Sequence, residues 1–215
     1  MNRIIKIGTG LIYERDLTET WPGDVYDADC IYTNPPVTYP LLAAKYARAG
    51  APMPAAFKTY DDYLDRFFAY IEASNPDTLY IETTGSNASM IAARCTELYE
   101  HVDMDECYYN YRPNQECFVI RCGHDESAPS PERVMDTRSY MRWICKNVNF
   151  SRIADLNTAD IRLEFLAHKN GKKFCCITKD RKKIDALKKM ITEYDTKQAE
   201  RERKNKIKSR RKRNS

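Results

Sequence analysis

The chain has 215 residues, of which 42% are hydrophobic and 31% are charged. This size and composition suit one α/β domain with a complete core, alone or followed by a tail. The longest apolar runs, such as residues 118–120, are far too short to span a bilayer, and residues 1–7 do not follow the pattern of a signal peptide. We therefore expect an intracellular, cytoplasmic protein without a membrane partner.

The eight cysteines point to the same reducing compartment. Several lie in apolar, strand-like runs such as residues 174–177, where a free thiol behaves as a small buried hydrophobe. A disulfide framework is unusual in a chain of this length with so much apolar sequence. Zinc binding by Cys107, Cys117, Cys122 and His124 is an alternative, but the chain has no Cys-x2-Cys pair, and we predict no metal site.

The net charge of +4 is distributed unevenly along the chain. Residues 196–215 contain ten Lys or Arg and two Glu, a local net charge of +8, so the preceding 195 residues carry −4. We predict one domain over residues 1–195 and a basic, disordered tail over 196–215, although residues 199–204 are good helix formers that can extend the last helix. Such a tail is most often a solvated end, and it is also typical of nucleic-acid binding.

Hydrophobic periodicity divides the chain into alternating strands and helices. To residue 122 the pattern predicts a strand at 1–8, a loop or short helix at 11–27, a strand at 29–33, an Ala-, Pro- and Tyr-rich excursion at 37–57, a helix at 59–74, a strand at 78–83, a helix at 87–100, and strands at 104–111 and 116–122. Beyond it, the pattern predicts a polar linker at 123–133, a helix at 134–146, a strand at 150–156, a helix at 159–168, a strand at 172–178 and a last helix from Asp180. This alternation predicts an α/β domain with a mostly parallel sheet, and the hairpin predicts one antiparallel edge strand.

A pair of prolines follows the second predicted strand. Residues 28–37 read ADCIYTNPPV, which resembles the catalytic segment of adenine-N6 and cytosine-N4 methyltransferases, where a buried strand ends in Asp/Asn/Ser-Pro-Pro-aromatic. An ordinary strand end is the alternative interpretation. The helix opened by Asp62-Tyr63-Leu64-x2-Phe67 and the strand in residues 75–82 are similar to the next elements of small, often phage-encoded members.

The C-terminal third is similar to the cofactor-binding half of the same family. A helix is followed by a strand ending at Asp155, a second helix, the strand segment Gly171-Lys172-Lys173-Phe174 and a basic helix start at residues 180–183. With the catalytic segment first, the motif order is the circularly permuted one. The resemblance covers about residues 4–191 and implies a Rossmann-like class I methyltransferase fold with a mixed seven-stranded sheet and helices on both faces. It also implies that the strand at residues 3–7 lies beside the strand at 172–178.

The resemblance implies roles for the Asn-Pro-Pro segment. In this family, the Asn side chain and the following backbone carbonyl accept hydrogen bonds from an exocyclic amino group of a base, which localises the nitrogen lone pair for methyl transfer. Carried over, these acceptors are the side chain of Asn34 and the carbonyl of Pro35, with Pro35 and Pro36 fixing the turn. Val37 is the fourth catalytic candidate, at the position where the family has an aromatic residue that stacks on a flipped base.

Nucleic-acid binding is the second implication. Because Val37 has no π face, stacking is lost unless Tyr39 or Tyr46 replaces it, and we name Tyr39 as a candidate. The other candidates are the basic residues of the tail, namely Lys204, Lys206, Lys208, Arg210, Arg211, Lys212 and Arg213. DNA is favoured over RNA as the partner, and a homodimer or a heterodimer with an active methyltransferase is a further expectation.

The implied cofactor is S-adenosylmethionine (SAM), but its motif is degenerate. The family has Asp-Pro-Phe-x-Gly-x-Gly, whereas residues 155–161 read DLNTADI, with Ala159 and Ile161 at the glycine positions. A β-branched Ile is a poor fit where the backbone needs a positive φ. Thr178 stands where an acidic residue normally binds the ribose. The candidates for cofactor binding are Asp155, Asn157, Thr178 and Asp180.

Two functional classes follow from these departures. The first is a nucleic-acid amino-methyltransferase that transfers a methyl group from SAM to an exocyclic base amino group. The second is a catalytically inactive pseudo-methyltransferase that acts as a nucleic-acid-binding or partner subunit. The retained Asn34 segment favours the first, and the missing glycines and Val37 favour the second, with weak or lost SAM binding expected. A basic-tailed structural protein of unrelated origin is a third interpretation.

Overall fold

The computed structural model describes residues 3–19, 27–109, 112–158 and 160–213. The described strands are β1 (Arg3–Ile7), β2 (Gly10–Glu14), β3 (Cys30–Thr33), β4 (Thr78–Thr83), β5 (His101–Tyr109), β6 (Arg112–Gly123), β7 (Met135–Asp136), β8 (Arg152–Asp155) and β9 (Lys173–Ile177). The described helices are α1 (Tyr39–Arg48), α2 (Tyr60–Ser74), α3 (Gly85–Cys95), α4 (Thr137–Asn147), α5 (Arg162–Lys169) and α6 (Arg181–Arg213). The strands form one mixed sheet in the order β1-β2-β9-β8-β3-β4-β6-β5-β7.

The middle of the sheet is parallel. Strands β2, β9, β8, β3 and β4 pair parallel with their neighbours, whereas β6 pairs antiparallel with both β4 and β5. The predicted hairpin is therefore confirmed, although it extends the sheet as two strands rather than one. The carboxyl ends of all five parallel strands meet at one edge, which is where ligands bind in sheets of this kind.

Helices cover both faces of the sheet, as predicted. Successive strand residues point to opposite faces, so that Ile31 belongs to a core beneath α1, α2 and α3, while Cys30 and Tyr32 belong to a core beneath α4, α5 and α6. All eight cysteines are buried, free thiols. Both cores are rich in aliphatic and aromatic residues that are fully excluded from water, which is the main stabilising term of such a domain.

Local sequence explains where the helices begin. Thr59 and Asp62 form a reciprocal capping box at the start of α2, and the Asp136 carboxylate accepts hydrogen bonds from the first backbone N–H groups of α4. The excursion at residues 37–57 contains α1, whose N-cap Thr38 accepts a hydrogen bond from the backbone of Leu41. These caps satisfy backbone N–H groups that would otherwise lack a partner in the first turn of each helix.

Two predictions about the architecture were wrong. The described sheet has nine strands rather than seven. The neighbour of β9 is β2, which lies in the segment predicted as a loop, and Arg3–Ile7 pairs antiparallel with β2 at the sheet edge. The cause is the tight turn at Gly8, with φ of +51°, which folds two short strands into a hairpin that the sequence pattern does not separate. The last helix, α6, runs on through residues 199–204 to Arg213.

Candidate functional site

The sequence candidates converge at the switch point of the sheet. Strands β3 and β8 are parallel neighbours, but the chain leaves β3 toward β4 and leaves β8 toward β9, on opposite sides. Asn34 follows β3, and Asp155 ends β8, so the two lie on either side of the crevice that this divergence opens. A crevice at this position is the common ligand site of open α/β sheets.

Glu82 fixes the orientation of the Asn34 side chain. The amide nitrogen Nδ2 of Asn34 donates to Glu82 Oε1 at 2.8 Å, and the Tyr32 hydroxyl donates to Glu82 Oε2 at 2.7 Å. Because Glu82 takes the amide nitrogen, the amide oxygen Oδ1 of Asn34 is left as an acceptor, and no described residue donates a hydrogen bond to it. Burial raises the pKa of the Glu82 carboxyl to about 7, against the lowering effect of the Tyr32 hydroxyl.

Backbone carbonyls of the Asn-Pro-Pro segment are held by side chains, with one exception. The carbonyl of Asn34 accepts from Asn157 Nδ2, that of Pro36 from the Tyr60 hydroxyl at 2.6 Å, and that of Val37 from Asn87 Nδ2. In the described part of the chain, the carbonyl of Pro35 has no such donor. Two acceptors therefore remain for a ligand, Asn34 Oδ1 and Pro35 O, and a base amino group has two N–H donors to match them.

The strand end of β8 carries a buried polar cluster. The carboxylate of Asp155 accepts from the backbone N–H of Asn157 at 2.9 Å, and the side-chain oxygen of Asn157 accepts from Lys45 Nζ. Asp155 and Asn157 are 5% and 4% exposed. Lys45 reaches this cluster from α1, where it shares the inward face with Leu42 and is one residue from Tyr46.

Burial sets the charge balance of this cluster. Burial raises the pKa of Asp155, opposed by the Asn157 hydrogen bond and the charge of Lys45. Burial also lowers the pKa of Lys45, and the neighbouring charge of Lys183 lowers it further, against the attraction of Asp155. A second ammonium thus stands near a single buried carboxylate, and Lys183 Nζ itself donates to the carbonyl of Thr158 at 2.7 Å.

The predicted ribose position lies at the end of β9. Thr178 is buried, and its hydroxyl accepts from the backbone N–H of Asp180 at 3.2 Å. The Asp180 carboxylate caps α6 by accepting from the backbone N–H groups of Lys182 and Lys183 at 3.0 and 3.3 Å. Both residues border the crevice, but the Asp180 carboxylate already accepts hydrogen bonds from the first turn of α6.

A cleft of about 440 Å³ joins these groups. It is lined by the Asn-Pro-Pro segment, by α1 residues including Lys45 and Tyr46, and by Asn157, Thr178, Asp180 and Lys183. Tyr63 also lines it, and its 2% exposed side chain has a hydroxyl without a partner among the described residues. Tyr39 is not part of this lining, because its hydroxyl donates to the carbonyl of Phe57 at 2.9 Å and its ring packs on the core.

The residues present are a poor match for SAM, the cofactor that the fold implies. SAM carries a sulfonium and an ammonium beside a single carboxylate, a net positive charge, whereas the strand end of β8 already holds the amine of Lys45 on Asn157. Ile161 has φ of −69°, so the loop there does not take the left-handed turn that glycines permit. Ala159 lies outside the described residues. The φ of Ile161 agrees with the poor fit of a β-branched residue to a positive φ, because the loop has adopted a conformation that any residue allows.

Several site residues were missed in the sequence. Lys45 could have been found, since a lysine on the inward face of an amphipathic helix is unusual. Glu82 gave a weaker signal as a carboxylate in a strand that is buried on both faces. Tyr63 was named for the helix pattern alone. The exposed Lys204 and Lys206 lie on the distal part of α6, and nothing is described of the side chains of Lys208 and residues 210–213.

Comparisons with solved structures establish the fold class. A comparison with protein-family models gives no match, and none of the curated proteins matches the sequence. The crystal structure of the M1.HpyAVI–SAM complex is similar with a TM-score of 0.59 and 16% identity, covering 84% of this chain and 98% of that chain. TTHA0409 from Thermus thermophilus, a proposed DNA modification methylase, is similar with a TM-score of 0.57 and 11% identity, covering 84% and 92%.

The same Thermus protein complexed with S-adenosyl-L-methionine gives a TM-score of 0.52 at 11% identity, covering 78% of this chain and 88% of that one. The fold is therefore that of the class I SAM-dependent DNA methyltransferases. This confirms the α/β, Rossmann-like interpretation of the sequence. Among the helices that the structure describes, none is long and apolar enough to cross a membrane, and its described His, Cys, Asp and Glu form no cluster of three or more suited to a metal ion.

Proposed function

We propose that this protein binds nucleic acid through the exocyclic amino group of a base, on a methyltransferase fold whose SAM binding is weak or lost. The observation that carries the proposal is the pair of acceptors at Asn34 Oδ1 and Pro35 O. Glu82 and the donors that occupy the neighbouring carbonyls leave these two groups without a donor among the described residues, and both Asn34 and Pro35 line the cleft. A buried acceptor left unmatched is costly, so a ligand that donates two hydrogen bonds gains selectivity there.

Loss of SAM binding is supported by the ammonium of Lys45. Burial lowers the pKa of Lys45 to about 7, so its amine is charged in part near neutral pH, and that charge at Asn157 opposes a ligand that carries a sulfonium. The absence of a free carboxylate at Thr178 removes the usual attraction for ribose hydroxyls. Together these features favour the pseudo-methyltransferase class, with DNA as the favoured nucleic acid.

Active methyl transfer is the second candidate, and the orientation of the Asn34 amide favours it. An inactive descendant has no chemical need to keep that amide oxygen directed at a substrate nitrogen. The two candidates differ in a simple measurement. Titration with SAM by calorimetry and incubation of DNA with methyl-labelled SAM should give no binding stronger than the millimolar range, about −4 kcal/mol, and no label transfer.

A matched pair of variants sharpens this test. Lys45→Met removes the ammonium and retains the length of the side chain, whereas Lys189→Met removes a charge from the exposed face of α6. If the Lys45 charge opposes SAM, Lys45→Met should bind SAM more tightly than the parent, and Lys189→Met should not. Micromolar SAM binding by the parent chain, with Asn34-dependent label transfer, would establish the enzyme instead.

A further inference from the structure

The cleft has an excess of positive charge in its described lining. Its cationic side chains are Arg15, Lys45, Arg48, Lys179 and Lys183, and its acidic ones are Asp16, Glu116 and Asp180. Asp16 is already paired with Lys179 at 2.7 Å. The Asp180 carboxylate caps α6. The local field therefore favours an anionic ligand over a cationic one.

Two lysines of the cleft lining have their amines held by neutral acceptors. Lys45 Nζ is held by the side-chain oxygen of Asn157, and Lys183 Nζ by the carbonyl of Thr158. The charge of Lys183 lowers the pKa of Lys45, and the carboxylate that most attracts Lys45 is that of Asp155, which is 5% exposed. An anion between the two ammonium groups would relieve this repulsion through charge-assisted hydrogen bonds.

Tyr63 provides an independent indication of a polar ligand. Its side chain is 2% exposed and lines the cleft, and its hydroxyl has no hydrogen-bond partner among the described residues. A buried hydroxyl without a partner costs free energy, so the native ligand should supply an acceptor for it. An oxygen-rich anion supplies several such acceptors.

Asn157 connects this cationic end to the base-recognition corner. Its Nδ2 donates to the carbonyl of Asn34, and its Oδ1 accepts from Lys45. The corner and the ammonium are thus separated by one amide side chain, and both lie in the same cleft. A single ligand with an amino group and an anionic group can occupy both.

We propose that the cleft binds a nucleotide, with the base amino group on Asn34 Oδ1 and Pro35 O and a phosphate group on the ammonium groups of Lys45 and Lys183. The position of the base rests on the proposed function. The position of the phosphate rests on the cationic lining and the Tyr63 hydroxyl, and can be tested separately. Because the resemblance assigns Asp155 and Asn157 to the cofactor, a phosphate held beside them and SAM would compete for one site.

Four ligands separate the two contacts, titrated by calorimetry into the full-length protein. AMP has the amino group and the phosphate, IMP lacks the amino group, adenosine lacks the phosphate, and inosine lacks both. We expect AMP to bind at least about tenfold more tightly than adenosine or IMP, each contact being worth about 1.4 kcal/mol or more at that ratio. CMP and UMP repeat the comparison for the cytosine amino group.

The titrations test the phosphate site and the recognition of the base amino group separately. Equal affinity for AMP and adenosine overturns the phosphate site, whatever the result with IMP. Equal affinity for AMP and IMP, with both tighter than the nucleosides, supports the phosphate site and overturns amino-group recognition. SAM binding tighter than AMP overturns the anion site.

Charge-neutral variants locate the phosphate. Lys45→Met should lower the affinity for AMP at least about tenfold and leave that for adenosine unchanged, and Lys189→Met should change neither. If Lys45→Met melts far below the parent, Lys183→Met provides the same test from the other side of the site. Unchanged AMP affinity in folded Lys45→Met and Lys183→Met overturns the proposal.

The phosphate can belong to a free nucleotide or to a strand. A single-stranded oligoadenylate that binds more tightly than AMP, with the same Lys45→Met loss, assigns the site to a strand phosphate. An oligoadenylate that binds more weakly than AMP assigns it to a mononucleotide. Either result supports a phosphate site. If Lys45→Met does not change the affinity for oligoadenylate, the site does not bind the phosphate of a strand.

Discussion

Glu82 is the residue that decides which atom of Asn34 faces the cleft. Its carboxylate accepts from Asn34 Nδ2 and from the Tyr32 hydroxyl. In Glu82→Gln, the new amide nitrogen can donate to Asn34 Oδ1 and turn the Asn34 amide around, so that its NH2 faces the ligand. We expect the preference for AMP over IMP to be lost, by about tenfold. Glu116→Gln, an exposed change at the cleft rim, is the matched control and should keep the preference.

Burial of Glu82 also makes stability depend on pH. Its pKa is about 7 in the folded protein, against 4.5 for an ordinary glutamate, so the folded chain holds a proton that the unfolded chain releases between these values. The free energy of unfolding therefore falls as the pH rises through this window. We expect a lower melting temperature near pH 7.5 than near pH 5, with a change on the order of 1–3 kcal/mol. Glu82→Gln should make this dependence shallower, because the raised pKa of Asp155 contributes in the same direction. An unchanged slope in that variant would assign the dependence to other groups.

Strand β2 is the element that the sequence pattern concealed, and Gly10 provides its test. A Cβ at Gly10 would lie 2.5 Å from ring carbons of Phe174, its register partner on β9. We expect Gly10→Ala to lower the free energy of unfolding by about 1–3 kcal/mol, since Phe174 is fully buried and has no room to yield. Gly85→Ala, where the nearest side-chain atom is 3.4 Å away and the residue begins α3, should cost little or stabilise slightly. Urea denaturation of both variants decides whether β2 lies against β9.

The elements show what a sequence pattern can and cannot predict. Central strands such as β3 and β4 are strongly apolar, so their existence and parallel pairing follow from periodicity and proline or Asn-Pro boundaries. The edge strands β1 and β7 give little periodic signal, because β1 is mostly exposed and β7 has only two residues. Strand β2 follows β1 after a tight turn, and its buried residues do not alternate strictly. The corner at Asn34 could be predicted because its chemistry is local in sequence. Lys45 lies 112 residues from its partner Asn157, and only the tertiary fold shows that they meet.

On the scale of the whole molecule, positive charge is concentrated in the distal part of α6. Its first half packs through Ile184, Leu187 and Ile191, and the described side chains from residue 199 onward are exposed. A helix of 33 residues is about 50 Å long, so the distal half extends well past the last packed turn. Lys197, Arg201 and Lys204 follow i, i+4, i+7 spacing, which places three positive charges on one side of the helix. The spacing favours a backbone-contacting arm rather than a solvated end.

We predict that this distal helix binds DNA through phosphates without reading sequence. Neutralised phosphates release condensed counterions, so affinity for duplex DNA should fall steeply with salt, and the slope should shrink by about 0.9 for each contact removed. Arg201→Gln combined with Lys204→Gln should therefore reduce the slope by about two.

The control pair is Lys188→Gln with Lys189→Gln, the same charge change on the same helix, where both lysines are already near carboxylates. Fluorescence anisotropy measures the DNA affinity of both double variants and of a chain ending at Asp195. The measurement is made across a salt series with two unrelated duplexes. Equal slopes for the two double variants, or a strong preference for one duplex that needs the helix, would contradict a phosphate-only arm and assign the contact to the domain face around Asn34.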